Sequence, residues 1–510
     1  MQDAHSATPD QAQTERPCAP GERPDADQPA TIQAYIDETP YWADGTRAPS
    51  APMTAMQWRI WLLATAGKFF EGLVIFMTGV ALPLLVDEFG LSVVEKGAVS
   101  SAPLLGILIG ATALGGLADR FGRRRMFIVE MVLFAVCLVG LVFSQSPAWV
   151  LCSLFGVGAA LGCDYPTAHL IISENIPSKS RGRLVLSAFG FQALGALAGT
   201  ALGYLILYEN PALGAWRWMY ASAILPAILV AAGRFFIPDS GQWLVARGRI
   251  AEAERETLRL LRRTPAYPNA VKLAEPAAPG QGLPPGRNGY ASLFAPKNRR
   301  ATLLASIPWL LQDLGTYGIG IFTPTILARV IGATPGSARN LADLIHSDML
   351  ATKGAAFLDL LLVLGMAVAI LLVDKAGRIR LQVLGFIGCA VGLTMVAASL
   401  DAQGQTRTLL LFSGFMLFNF MTNLGPNAMT YLIAGEVFPT RIRGQGMGLA
   451  SSLAKLGAVA TAFLFPILLA DIGTQKLLFG LAGASLLGAL VTWLLRIETT
   501  GVNLERLGEE

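Results

Sequence analysis

The stretch ENIPSKSRG, residues 174–182, returns further along the chain as EVFPTRIRG, residues 436–444. Glu174, Pro177, Arg181 and Gly182 keep their spacing in Glu436, Pro439, Arg443 and Gly444. A second echo precedes it in the same order: DRFGRRR from Asp119 and DKAGRIR from Asp374. One echo alone is weak. Two, in one order and at similar offsets, indicate a unit present twice. Apolar blocks flank every copy, so the unit is a set of hydrophobic helices and the motifs are its short charged loops.

Twelve blocks reach the roughly 20 residues that an α-helix needs to cross a bilayer. Six lie before residue 238, at about 57–84, 94–117, 126–145, 148–172, 184–208 and 216–237. Six follow residue 300, at about 301–331, 354–374, 380–400, 408–434, 445–470 and 476–496. The bulk numbers agree: 53% of the 510 residues are hydrophobic and only 15% charged, against about 25% charged in a soluble domain. The expected fold is an all-α membrane protein of twelve transmembrane helices in two pseudo-symmetric six-helix bundles.

The expected organisation follows. Residues 1–55 are polar and proline-rich, with no apolar core of a secretory signal peptide, and read as a disordered tail. The first bundle covers 56–238. A linker, 239–300, carries an amphipathic helical stretch, WLVARGRIAEAERETLRLLRR, and then a run rich in proline and glycine. The second bundle covers 301–496, and 497–510 form a tail. Basic residues cluster in alternate loops: Arg120 and Arg123 to Arg125, Lys179 to Arg183, Lys375 to Arg380, and Arg441 with Arg443. The intervening SQSP has none and DAQGQTRT one. The positive-inside bias puts the basic face, both termini and the linker in the cytoplasm, in a plasma membrane or a bacterial inner membrane.

Several classes are excluded at this level. Cys18, Cys137, Cys152, Cys163 and Cys389 form no CxxC pair, and there are three histidines. Neither a disulfide framework nor a metal site is expected. No nucleotide loop or nucleophile–base pairing stands out, so no enzyme, no cofactor and no nucleic-acid partner are expected.

The loop motifs also carry a resemblance. GGLADRFGRRR (115–125) resembles the helix 2–3 signature of the major facilitator superfamily, with DKAGRIR as its counterpart in the second half. PDSGQWL (238–244), GEVFPTRIRG (435–444) and ETTGVNLE (498–505) resemble marks of its sugar-porter-like branch. Within that branch, three segments resemble the phosphate:proton symporter family. They are GCDYPTAHLIISENIPSKSRG (162–182), GPNAMTYLIAGEVFPTRIRGQGMGLASSLAKLGA (425–458), and the W-x3-D-x3-Y spacing of WLLQDLGTY (309–317).

The resemblance implies the major facilitator fold and alternating access. It implies phosphate-binding groups at Tyr165, Gln192, Trp309, Asp313, Tyr317 and Lys455, and proton-handling acids at Glu71, Glu130 and Asp164. In one place the chain departs from the family. Where the family has a DxxD pair, this chain has Glu71 and then Val74, and Lys68 stands where it can pair with Glu71 on one helix face.

Physical reading of the same residues points the same way. A charge at mid-bilayer costs roughly 2.5–3.5 kcal/mol even on a mild scale, so it should face a wet cavity or a partner. Trp309, Asp313 and Tyr317 at i−4, i and i+4 share a helix face. They read either as a substrate-lining stripe or as an acid satisfied by a neighbouring helix between packing aromatics. Lys455, deep in its span among small residues, is a compact point charge suited to phosphate or carboxylate. An anion beside Asp313 requires a proton, on Asp313 or on the substrate, so Asp313 joins the proton-coupling candidates. Gln192 offers a neutral hydrogen bond to a ligand or a helix–helix bridge. His169 is an unexpected neighbour of Tyr165.

The loop charges Asp119, Arg123, Glu174, Arg181, Asp374, Arg378, Glu436 and Arg443 read as gating ion pairs that hold the two halves together when the outside is open, or, for the arginines, as topology signals alone. The expected function is proton-coupled uptake of inorganic phosphate or a similar small anion by a single chain. A sugar or organic (aromatic) acid transporter and a transporter-like nutrient sensor are the alternatives.

Overall fold

The structure is a computed structural model that describes residues 31–39, 52–114, 117–262, 271–273, 290–331, 341–439 and 442–499. Among these, eleven helices are long and apolar enough to cross a membrane. They include α2 (Ala55–Phe89), α3 (Val93–Ile109), α5 (Arg123–Val142), α6 (Pro147–Asn175), α7 (Ser178–Glu209) and α8 (Ala215–Arg234). The second half contributes α12 (Leu341–Ala376), α13 (Arg378–Ser399), α14 (Gly404–Leu424) running on into α15 (Pro426–Glu436), α16 (Arg443–Asp471) and α17 (Thr474–Leu494). The helix α11 (Pro296–Ile331) is 36 residues long but less apolar. It opens on Lys297, Asn298, Arg299 and Arg300 and carries Gln312, Asp313, Thr316 and Tyr317 in its middle, and these polar groups lower its hydropathy. With it, the twelve expected spans are all helical.

The boundaries depart from the sequence expectation in two places. The first span extends to Phe89, because the Thr54–Gln57 capping box opens α2 early and Gly90 ends it in the left-handed region. The tenth breaks at Gly425, where Pro426 restarts the helix as its first residue.

The duplicated loops fold alike. Gly122 (φ 102°) and Gly377 (φ 86°) take up backbone angles that side chains rarely adopt. Each turns the chain into the following helix, α5 or α13. This is why both copies of the motif hold a glycine before the arginine.

Two seams join the halves, α3 against α16 and α7 against α12, and α2 also meets α11. The repeat relates the seams: spans two and five of the first half correspond to spans eight and eleven of the second. Beyond the site, away from the basic loops, the Phe76 ring of α2 lies over Gly320 of α11.

The basic face is capped. Within the tail expected to be disordered, Ile32–Asp37 form a short helix, α1, with Thr31 as its N-cap. Ile32, Tyr35 and Ile36 present one apolar face, and Ile36 is fully buried. The Tyr35 hydroxyl accepts from the Lys272 N–H at 3.1 Å. Asp37 accepts from the Ser178 N–H at the start of α7, at 2.7 Å. Burial of that face outweighs the polar composition around it, which corrects the expectation for these residues. In the linker, α10 (Ile250–Leu261) is the expected amphipathic helix, preceded by α9 (Gly241–Ala246).

Candidate substrate site

The long apolar helices leave few polar groups at the centre, and these gather around Lys455 of α16. Its Nζ donates to the Tyr317 hydroxyl at 2.7 Å, and lies 3.4 Å from Glu71 Oε1 and 3.5 Å from Asp313 Oδ2. Tyr317 in turn donates to Glu71 at 3.1 Å and accepts from the Gln192 amide at 2.9 Å. The same amide lies 3.3 Å from Glu71. Glu71, Asp313, Tyr317 and Lys455 are all buried. Four helices therefore converge: α2 with Glu71, α7 with Gln192, α11 with Asp313 and Tyr317, and α16 with Lys455. Of the sequence candidates, these five form one hydrogen-bonded cluster.

Lys68 completes it. Its ammonium lies 2.5 Å from Glu71 Oε2, the i,i+3 pairing that the sequence spacing allows. It also faces the Phe189 ring at 5.4 Å. Two cations and two carboxylates thus share the centre, with no net charge when both acids are ionised.

A small cavity adjoins the cluster, bordered by Lys68, Glu71, Asp164, Phe189 and Tyr431, with about 30 Å³ open to water centres. That is room for roughly two waters. Phe189 of α7 and Tyr431 of α15 stack across the halves at 4.5 Å on its basic-loop side. Trp309 meets Tyr431 edge-on at 6.1 Å. Its i−4 position from Asp313 puts it one turn toward the basic face, so it forms the wall behind Tyr431, outside the cluster.

Asp164 and Glu130 sit behind the cavity. Asp164 Oδ1 lies 2.6 Å from Arg234 Nη1, and that guanidinium is fully buried. Arg234 also donates to the carbonyls of Phe127 at 2.6 Å and Leu63 at 3.1 Å. Gly67 makes the pairing possible: a Cβ there would lie 1.7 Å from Asp164 Oδ2. Glu130 accepts from the Thr167 hydroxyl at 2.8 Å, and its other oxygen has no partner among the described residues. The side chains of Tyr165 and His169 lie outside the described residues.

Sequence reading missed Arg234, Phe189 and Tyr431. Arg234 stands at the end of an apolar span, where a lone arginine reads as a topology signal. The aromatics looked like any others in a greasy helix, and only the meeting of α7 with α15 distinguishes them.

At the basic face, Arg123 pairs with Glu174 at 3.4 Å, and Glu174 accepts from the Ser240 hydroxyl at 2.5 Å. In the second half Arg378 pairs with Glu436 at 3.3 Å, and Glu436 accepts from Thr499 at 2.6 Å. Both ion pairs close inside their own half, where the repeated loop of one hairpin reaches the next. The contacts found for Arg181 and Arg443 are likewise with nearby residues, the carbonyls of Ile176 and Phe438. Burial lowers the Arg181 guanidinium from its ordinary value, and Asp37 opposes that shift. The side chains of Asp119 and Asp374 lie outside the described residues.

Comparison with known proteins agrees with this architecture. Residues 60–510 match the model of the family described as sugar (and other) transporter. A putative metabolite transport protein of Escherichia coli, YaaU, is 28% identical, over 88% of this chain and 93% of its own length. A probable inorganic phosphate transporter of rice, 1-12, is 27% identical, over 81% of this chain and 82% of its own. Among solved structures, the proton:xylose symporter XylE superposes with a TM-score of 0.69 at 21% identity, covering 89% of this chain and 99% of its own. With the family model spanning both duplicated halves, the chain belongs to the sugar (and other) transporter family of the major facilitator superfamily, and is a multi-pass membrane transporter.

Proposed function

We propose that the protein couples the entry of protons to the uptake of a small anion, with inorganic phosphate as the substrate that suits the site best. The observation that carries this reading is the central balance of charge. Lys68 and Lys455 offset Glu71 and Asp313, so the empty site is neutral. An arriving monoanion takes over Lys455 and leaves one negative charge in excess. In a low-dielectric centre that excess is costly, and one proton on Asp313 or Glu71 removes it. Dihydrogen phosphate can accept from Lys455, Tyr317 and Gln192 and donate to a carboxylate, which a simple monocarboxylate does less well.

The basic face is cytoplasmic in this reading, in a plasma or bacterial inner membrane, and one chain suffices. The paired loop clusters, with Asp119 and Asp374 in the same motifs, brace each half so that it rocks as one body about the site. A second reading, an aromatic acid, draws on the Phe189–Tyr431 stack, the Trp309 edge and Lys68 beside them. The flat faces would hold a ring and the lysine its carboxylate.

Purified protein in liposomes distinguishes these. Labelled phosphate should enter faster under an inward proton gradient and lose that advantage with an ionophore. Flux of an aromatic acid without phosphate flux would support the second reading. Phosphate binding with no flux of any of these solutes would make the protein a sensor.

A further inference from the structure

Asp359 lies in the middle of α12, well inside the membrane span, and is buried. No sequence motif points to it, and the charge balance of the central site does not use it. Its one hydrogen-bond partner among the described residues is the Thr200 hydroxyl of α7, at 2.9 Å. The contact crosses the seam between the two halves. Thr200 is two turns beyond Gln192 on α7, about 12 Å further from the basic face at 1.5 Å per residue.

The hydrogen-bond inventory around Thr200 is informative. Its oxygen is also 3.1 Å from the Ala196 carbonyl and 3.2 Å from the Leu197 carbonyl. One hydroxyl has a single proton to give. If Thr200 donates to its own helix, Asp359 must be the donor across the seam, which requires the acid to be protonated. If Asp359 is ionised, Thr200 must turn its proton away from the helix, and a carboxylate stands in the seam with one hydrogen bond.

Among the described residues, the other titratable groups of the elements packed on α12 do not supply a counter-charge. On α7 the nearest along the chain is Tyr204. Asp313 and Tyr317 of α11, and Lys68 and Glu71 of α2, belong to the central cluster. Cys389 of α13 bonds with Thr422, and α14 carries only Arg407, near its start. On α12 itself, Asp348 is buried and Lys353 exposed. No ion pair to Asp359 is found among the described residues.

We propose that Asp359 is a second proton-binding site of the transport cycle, set in the α7–α12 seam apart from the substrate residues. Protonated, it closes an uncharged chain from Asp359 through Thr200 to the Ala196 carbonyl, and the halves stay in contact. Ionised, it is a buried charge that only water can satisfy, and the seam parts to admit it. Asp359 lies on the outer side of the substrate cluster, so external pH would set this equilibrium before substrate arrives. The inference rests on the transporter reading but not on the identity of the substrate.

Infrared difference spectra of the full-length protein in liposomes, taken between acid and alkaline pH without substrate, test it directly. The wild type should show one protonated-carboxyl band that is missing from Asp359→Asn, while any band from Asp313 or Glu71 remains. Thr200→Val keeps the acid and should shift that band, since the carboxyl loses its hydroxyl partner. An unchanged band in both variants would overturn the proposal. Uptake of whichever anion the liposomes transport gives a second reading. The ratio of rates at acid and alkaline external pH should fall toward one in Asp359→Asn. A wild-type ratio in a folded Asp359→Asn protein would also overturn it. Because the infrared measurement needs no substrate, it separates this failure from a failure of the phosphate reading.

Discussion

At the basic face the two halves are built alike. Arg123, Glu174 and Ser240 in one answer Arg378, Glu436 and Thr499 in the other. At the membrane centre they differ. The first half supplies a cation of its own to two of its acids, Lys68 to Glu71 and Arg234 to Asp164. Around the substrate site the second half contributes Asp313 and Lys455 among the described residues, with Asp359 apart in the seam, and Lys455 is shared across the halves with Glu71. The loop clusters repeat in both halves, while the centre combines paired charge from the first half with a cation of the second half that lies between acids of both. Removing that shared cation should have the largest effect. Lys455→Ala leaves Glu71 and Asp313 without the cation between them, and losing one partner of a buried charge cluster costs about 3–5 kcal/mol. Anion uptake at saturating proton gradient should fall by about 100-fold or more. Near-normal uptake would mean that the second half does not carry the anion anchor.

A pair within the first half should break differently. Asp164→Ala strands the fully buried Arg234, and the expected loss is again of the order of 3 kcal/mol, but in folding stability. It should be visible as a lower thermal midpoint in detergent. Removing both partners, with Arg234→Met added, should recover much of that loss, because no uncompensated charge remains. A double variant as unstable as the single one would assign Arg234 its value through the Phe127 and Leu63 carbonyls it also holds.

How much of this was visible in the sequence follows the same division. The repeated loops and the spans were legible from periodicity, and Asp313, Tyr317 and Lys455 from helix spacing and the cost of a buried charge, while Glu71 and Gln192 were reached as site residues through the family resemblance. The partners were less legible. Glu71 with Lys68 is an i,i+3 neighbour and could be read. Asp164 with Arg234 links α6 to α8 and could not. Trp309 shared the Asp313 face as the spacing required, yet it packs on Tyr431, since a turn of offset moved it behind another helix. The sequence repeats the loop charges in both halves without indicating which of them pair. Short hairpins make pairing inside a half the nearer solution. The α1 helix was hidden by its polar surroundings, as six ordered residues weigh little in a composition.

A smaller change tests whether Lys68 belongs to the paired charge of the first half. In Lys68→Met, Glu71 keeps Lys455, Tyr317 and Gln192 but loses its closest cation. One charge-assisted contact is worth about 1.5 kcal/mol, so apparent affinity for the anion should weaken by about tenfold as Glu71 competes harder for Lys455. At lower pH a proton on Glu71 can stand in for the missing cation, so the defect should shrink as pH falls. A defect that grows with acidity would place Lys68 directly on the anion.

The smallest effects should come from the region the halves share. Ser240→Ala and Thr499→Val each remove one hydroxyl donor from a glutamate that keeps its arginine. Each should lower stability by about 1 kcal/mol, and by similar amounts if the two clusters are the same device. They bond to glutamates of separate halves, Ser240 from the linker and Thr499 from the tail, with no common partner in these contacts, so the double variant should show the sum within about 0.5 kcal/mol. Thermal midpoints of the three proteins in detergent give the comparison. A double variant far from additive would show that the clusters communicate across the seam, as the gating role of the loop charges requires.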